Sequence, residues 1–69
     1  MKISARNVLS GTVKVLHEGP VTTEVTVEVA PGIEIVSTIT SGSAKSLNLK
    51  PGAKVHAVIK ASSVMIATD

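Results

Sequence analysis

The sequence predicts an all-β fold: a small OB-like Greek-key β-barrel with one short helix, built to oligomerise. Three observations point there. Turn signals at His17–Pro20, Ala30–Gly32, Thr40–Ser43 and Lys50–Gly52 cut the chain into short segments. Within those segments apolar residues recur at every second position, the period of a strand with one buried face. The stretch that suits a helix, Ala44–Leu49, is short and lies between the third and the last β-rich segments.

The first segment, residues 2–17, is read as one long strand with Gly11 in its middle, a residue that permits a bulge or a bend at a barrel corner. The second, Val21–Val29, alternates cleanly. Val21, Thr23, Val25, Val27 and Val29 share one face, and Thr22, Glu24, Thr26 and Glu28 share the wet one. In the third, Ile33–Thr40, Ile33, Ile35 and Ile39 oppose Glu34, Val36 and Thr38. One or two helical turns then open on Ser41 or Ser43 as N-cap. A final β region runs from Ala53 to Thr68, with Val55, Ala57, Ile59 and Ala61 alternating with His56, Val58, Lys60 and Ser62. Near Ser62 and Ser63 the apolar pattern changes register, which predicts a bulge or a change of partner strand.

With 69 residues the chain is one domain, residues 1–69. A domain this small buries only about 60% of the surface its unfolded chain exposes. It has no Phe, Trp or Tyr to enlarge the core and no Cys for a disulfide or a thiolate metal site. Oligomerisation is the remaining staple, and a mean hydropathy of +0.40 agrees with apolar surface reserved for another subunit. No apolar stretch approaches the roughly 18 residues of a membrane span, and Met1 leads directly into a strand pattern rather than a leader peptide. The expectation is therefore a cytoplasmic protein with no membrane partner.

Seven Lys and Arg against five Asp and Glu give a net charge of +2, far from the basic footprint of a nucleic-acid binder. Single-strand binding on a barrel also depends on aromatic platforms, worth about 1–3 kcal/mol per base, and the chain has none. Catalysis is disfavoured too. A serine nucleophile needs a positioned His and carboxylate, yet His17 falls in a turn and His56 in a strand. Without an HxH or HxxxH spacing no metal site is expected, and Glu24, Glu28 and Glu34 read as solvating charges. Neither enzyme activity nor a catalytic cofactor is predicted.

Anion binding remains. Ser4, Ala5 and Arg6 near the start and Lys60, Ala61 and Ser62 near the end form near mirror images. If both lie in strands, each puts a hydroxyl and a cation on one face. A compact oxyanion needs such donors converging from several directions, and the small Ala5 and Ala61 let backbone N–H groups approach it. The plain alternative is that Arg6 and Lys60 are edge-strand charges that discourage aggregation. The serines of Thr40–Ser46 offer a second possible anion contact, with ordinary helix capping as the simpler role.

The same residues carry a resemblance. "SARNVLSGTV" at one end and "VHAVIKASSVMI" at the other, with "GPVTTEVTVEV" and "ITSGSAKSLNLKPG" between them, resemble the Mop family of molybdate-binding proteins, the molbindins. The likeness covers essentially the whole chain. It departs from the family pattern at Thr22, where Asn is frequent, and at Asn48, where Gly is frequent.

The resemblance implies an OB-related barrel assembled as a hexamer, a trimer of dimers, holding molybdate or tungstate between subunits. Ser4, Ala5 and Arg6 would bind from one subunit while Lys60, Ala61 and Ser62 complete the site. Thr40 and Ser43 match the family's IT-x-x-S segment and are secondary oxyanion candidates. Related domains also occur fused to a transport ATPase or a DNA-binding regulator, for which this chain has no room, so the expected role is a store or buffer of the anion. The competing reading is an OB-like nucleic-acid or protein-interaction module with no bound anion.

Overall fold

Alternation in Val21–Val29 does set an inner face: Thr23, Val25 and Val27 are all buried, at 1%, 4% and 5% exposure. They belong to the second of four strands in a computed structural model describing residues 1–69. The strands are β1 (Asn7–Glu18), β2 (Thr22–Ala30), β3 (Ile33–Thr40) and β4 (Lys54–Ile59), with the helix α1 (Ser41–Ser46) between the last two. A single 3₁₀ turn, Ala61–Ser63, follows β4. All pairings are antiparallel, in the order β3-β2-β1-β4. Three consecutive strands with the fourth returning beside the first is the Greek-key order. Within one chain the sheet is curled but unjoined, with β3 and β4 at its edges.

The strand β1 serves two partners. Its first half, Asn7–Thr12, pairs with β4 and its second half, Thr12–Glu18, with β2. Gly11 stands at the crossover, where the sequence allows a bulge or a bend; the bulge itself lies three residues on. Val13 pairs with Val27 and Val15 with Thr26, so Lys14 is the extra residue. The bulge moves the inward positions from Val13 to Leu16, which packs against the core of Val13, Val25 and Val27, and turns Val15 outward. It also aims Lys14 across the sheet. Glu28 and Glu34 face each other on β2 and β3, a repulsive juxtaposition. Lys14 Nζ sits 2.6 Å from Glu34 Oε2 and 3.9 Å from Glu28 Oε2. The hydrogen bond to Glu34 holds the ammonium above its ordinary pKa. These glutamates are therefore paired, not merely solvating.

Chain reversals follow their residues. In Ala30–Ile33, Pro31 presets the second position and Gly32 takes φ +75°, the left-handed value a type II turn requires at its third. The helix opens one residue earlier than expected. Its N-cap is Thr40, neither Ser41 nor Ser43, and Thr40 Oγ1 accepts the Ser43 N–H at 3.1 Å. At the other end Asn48 adopts φ 56°. Its N–H donates to the Lys45 carbonyl and that of Leu49 to the Ala44 carbonyl, the Schellman pattern, so Asn48 fills the role that glycine has at many helix ends. Thr40→Ala should cost about 1 kcal/mol, read as a lower thermal midpoint at fixed protein concentration.

Both ends of the chain depart from the expected strands. The first strand begins at Asn7 instead of residue 2, and the last ends at Ile59 instead of Thr68. The register change foreseen at Ser62–Ser63 is the 3₁₀ turn, not a bulge. Beyond it, Val64, Met65 and Ile66 are 46%, 93% and 87% exposed. Five of 69 residues are buried, so the core within one chain is small. No helix is long and apolar enough to cross a membrane.

Candidate functional site

Asn7 and Ile59 are partners in the β1/β4 ladder, and in an antiparallel ladder the chain enters one strand where it leaves the other. Ser4–Ala5–Arg6 immediately precedes Asn7, and Lys60–Ala61–Ser62 immediately follows Ile59. The fold thus sends the two triplets off the same end of the same strand pair. The reading that placed them inside strands, with hydroxyl and cation alternating on one face, does not hold. Ser4 and Arg6 lie at bends before β1, and Ala61 and Ser62 lie in the 3₁₀ turn.

That local conformation leaves donors unspent. The turn closes through Ser63 N–H to the Lys60 carbonyl at 2.9 Å and Val64 N–H to the Ala61 carbonyl at 3.3 Å. The N–H groups of Ala5, Arg6, Ala61 and Ser62 make no backbone hydrogen bond in the chain. Arg6 and Lys60 form no salt bridge, and the hydroxyls of Ser4 and Ser62 have no protein partner. Ala5 is half-buried and the other five residues are exposed. Two cations, two hydroxyls and several free amides at one end of a rigid ladder suit an anion with several oxygen acceptors.

Thr40 and Ser43 lie elsewhere. Thr40 pairs with Thr22, near the Glu18 end of β1, whereas the triplets flank the Asn7 end. Thr40 Oγ1 donates to Ser43 Oγ at 2.7 Å while accepting the Ser43 N–H, so both hydroxyls are engaged in the cap. One chain does not bring these residues to the triplets. Beside them Ser41 Oγ lies 2.9 Å from Thr23 Oγ1 and donates to the Gly19 carbonyl at 2.6 Å, which satisfies the buried threonine.

Three polar features lay beyond the sequence reading. Asn7 Nδ2 donates to the Ile59 carbonyl at 3.3 Å. Ser10 Oγ lies 3.2 Å from His56 Nδ1 across β1 and β4, and both line an open cleft of about 500 Å³ with Thr12, Glu28 and Lys54. The third is the Lys14 bridge. A hydroxyl–imidazole contact without an assigned third partner does not make a nucleophile, and no group of three His, Cys, Asp or Glu side chains could hold a metal ion. The Asn in "SARN" was the signal available for the first; the other two depend on strand register.

Fold and site together define a class: a small Greek-key β domain of OB type, with donor-rich segments gathered where its first and last strands meet. Comparison with known proteins places it further. The model of the TOBE domain matches residues 3–66. Molybdenum-pterin-binding protein 1 of Clostridium pasteurianum is 48% identical over 66 residues, covering 96% of this chain and 97% of that protein. The molybdenum transport protein ModE of Herbaspirillum seropedicae is 46% identical over 69 residues, and this chain spans only 26% of its length. Among solved structures, MopII of C. pasteurianum superposes with a TM-score of 0.91 at 46% identity, covering 97% of this chain and all of that one. ModG, a cytoplasmic molybdate-binding protein solved with molybdate bound, superposes at 0.89 with 49% identity over 94% of this chain and 46% of its own. The chain belongs to the TOBE-domain family and is of the molbindin type.

Proposed function

We propose that this protein binds molybdate or tungstate reversibly and acts as a cytoplasmic store or buffer of the anion. The observation that carries the reading is the meeting of Ser4–Ala5–Arg6 and Lys60–Ala61–Ser62 at one end of the β1/β4 ladder, with their cations unpaired and their amides free. The serine hydroxyls and the N–H groups around Ala5 and Ala61 hold the oxo groups, and Arg6 and Lys60 offset the double negative charge. Binding is non-covalent, no catalytic step is involved, and residues 1–69 act as one domain. Thr40 and Ser43 remain secondary contacts, which would require their capping hydroxyls to turn outward.

Selectivity follows from the donor set. Sulfate is smaller, so rigidly placed donors fall short of its oxygens, and each unmade buried hydrogen bond costs about 1–3 kcal/mol. Phosphate carries a proton near neutral pH, and a site composed of donors offers no acceptor for it. Molybdate and tungstate are nearly alike in size and bind alike.

The complete site lies between subunits of a homo-oligomer, a hexamer arranged as a trimer of dimers. A compact chain of 7.0 kDa exposes about 4,000 Å², whereas this one exposes 5447 Å². Its radius of gyration is 12.7 Å, against about 11 Å for a compact chain of its length. The excess area exceeds the roughly 800 Å² that each partner buries in a stable interface. Sedimentation should accordingly give a mass several times one chain, and a clean 7.0 kDa particle would exclude the shared site.

Calorimetric titration with molybdate, with sulfate as control, tests the function directly. Saturable heat with molybdate and little with sulfate is expected. No heat with either at two temperatures would reject anion binding and favour a protein- or nucleic-acid-interaction module.

A further inference from the structure

The site proposed above leaves one residue of "SARN" without a part. Asn7 is half-buried, sits next to Arg6, and spans from the first residue of β1 to the last of β4 through Nδ2 and the Ile59 carbonyl, 3.3 Å apart. A carbonyl only accepts, so the amide must present its NH₂ group there. The bond ties the residue following Ser4–Ala5–Arg6 to the residue preceding Lys60–Ala61–Ser62. It is the only side-chain hydrogen bond at this end of the ladder, and the chain on both outer sides lacks cross-strand pairing. Beyond the Asn7–Ile59 pair no hydrogen bond joins the two donor segments.

We propose that Asn7 is a positioning residue for the anion site. It touches no ligand, but it clamps the ladder end from which both donor triplets spring and so fixes the spacing of the donors. This inference rests on the oxyanion reading and deepens it, since a site that separates molybdate from sulfate by size works only while its donors cannot close in on the smaller anion. Side chains are specific to this task. Aspartate would set a carboxylate against a carbonyl, serine is too short to cross, and leucine keeps the shape without the donor.

The test uses the full chain as wild type, Asn7→Leu, Asn7→Ser and Asn7→Gln. Molybdate and sulfate affinities are measured by calorimetry, mass by sedimentation, and amide order parameters at Lys60–Ser62 by NMR relaxation without ligand. Outer groups that orient ligating groups are typically worth about 10- to 100-fold in affinity. Leucine and serine should weaken molybdate binding by at least about tenfold in that range, leave sulfate binding no weaker and so narrow the selectivity, and lower the amide order parameters at Lys60–Ser62 in assemblies of unchanged mass. Glutamine, which keeps the donor, should recover most of the affinity. Unchanged molybdate affinity and selectivity in the serine and leucine variants would overturn the proposal, even with a lowered melting temperature, because the clamp would then be structural only. If leucine does not fold, serine and glutamine decide by the same criterion. A wild-type protein that fails to bind molybdate would instead reject the oxyanion reading itself.

Discussion

Arg6→Ala is expected to weaken molybdate binding by at least about 25-fold while leaving the assembly at its normal mass. Truncating one partner of a desolvated, hydrogen-bonded charge pair costs about 2–5 kcal/mol, and each 1.4 kcal/mol is a factor of ten in affinity. Arg6 is exposed, precedes β1 and has no salt bridge in the chain, so its removal breaks no ion pair or side-chain hydrogen bond of the fold. A functional role and a structural one therefore separate cleanly. Lost affinity with an unchanged melting curve places the guanidinium at the anion, while unchanged affinity removes Arg6 from the site. Lys14→Ala is the matching control: it deletes another exposed cation, engaged by Glu34 on β3, and should not alter molybdate affinity.

The largest expected effect on stability is at Gly11. A Cβ built there would lie 2.6 Å from the Glu28 carbonyl oxygen and 2.7 Å from Val27 Cγ1. Neither neighbour can yield cheaply. The carbonyl belongs to the backbone of β2, and Val27 is part of the three-valine core. Alanine would force β1 away from β2 at the Thr12–Glu28 and Val13–Val27 pairs, where the strand changes partners. Overpacking of this kind costs about 3 kcal/mol, which in a domain of this size lowers the melting temperature by roughly 12–24 °C. Because assembly contributes to stability, the comparison belongs at one protomer concentration. Gly42→Ala, in α1 where the added methyl meets nothing within 4 Å, serves as the control and should hold or slightly raise the midpoint. An unaltered midpoint for Gly11→Ala would mean that the close packing of β1 on β2 contributes nothing.

Periodicity made the inner strands legible. In β2 the alternation of Thr23, Val25 and Val27 with Thr22, Glu24 and Thr26 is uninterrupted, and one buried face follows from it. In β1 the same rule gives no faces, because a bulge at Lys14 changes which residues point inward without leaving a local mark. Lys14 is an ordinary strand-face cation in the sequence, and the reason for its bulge, the facing pair Glu28 and Glu34, lies on two other strands. The ends were misread for another cause. Apolar alternation in residues 2–6 and 60–68 looks like strand whether or not a partner exists, and within one chain none does.

The candidate site divides in the same way. The residue types of the two triplets, their mirror symmetry, the missing aromatics and cysteines, and the likeness to molbindins are properties of composition and order, and the sequence by itself determined them. Hydroxyls and cations are the same chemical groups wherever the chain leads. Only the tertiary structure decided that the triplets leave one end of one ladder, that they stand outside the strands with their amides free, that Thr40 and Ser43 lie toward the other end of β1, and that Asn7 bridges to Ile59. Those facts depend on which strand pairs with which and in what register, and register is set by the packing of valines from three separated segments rather than by any residue of the site.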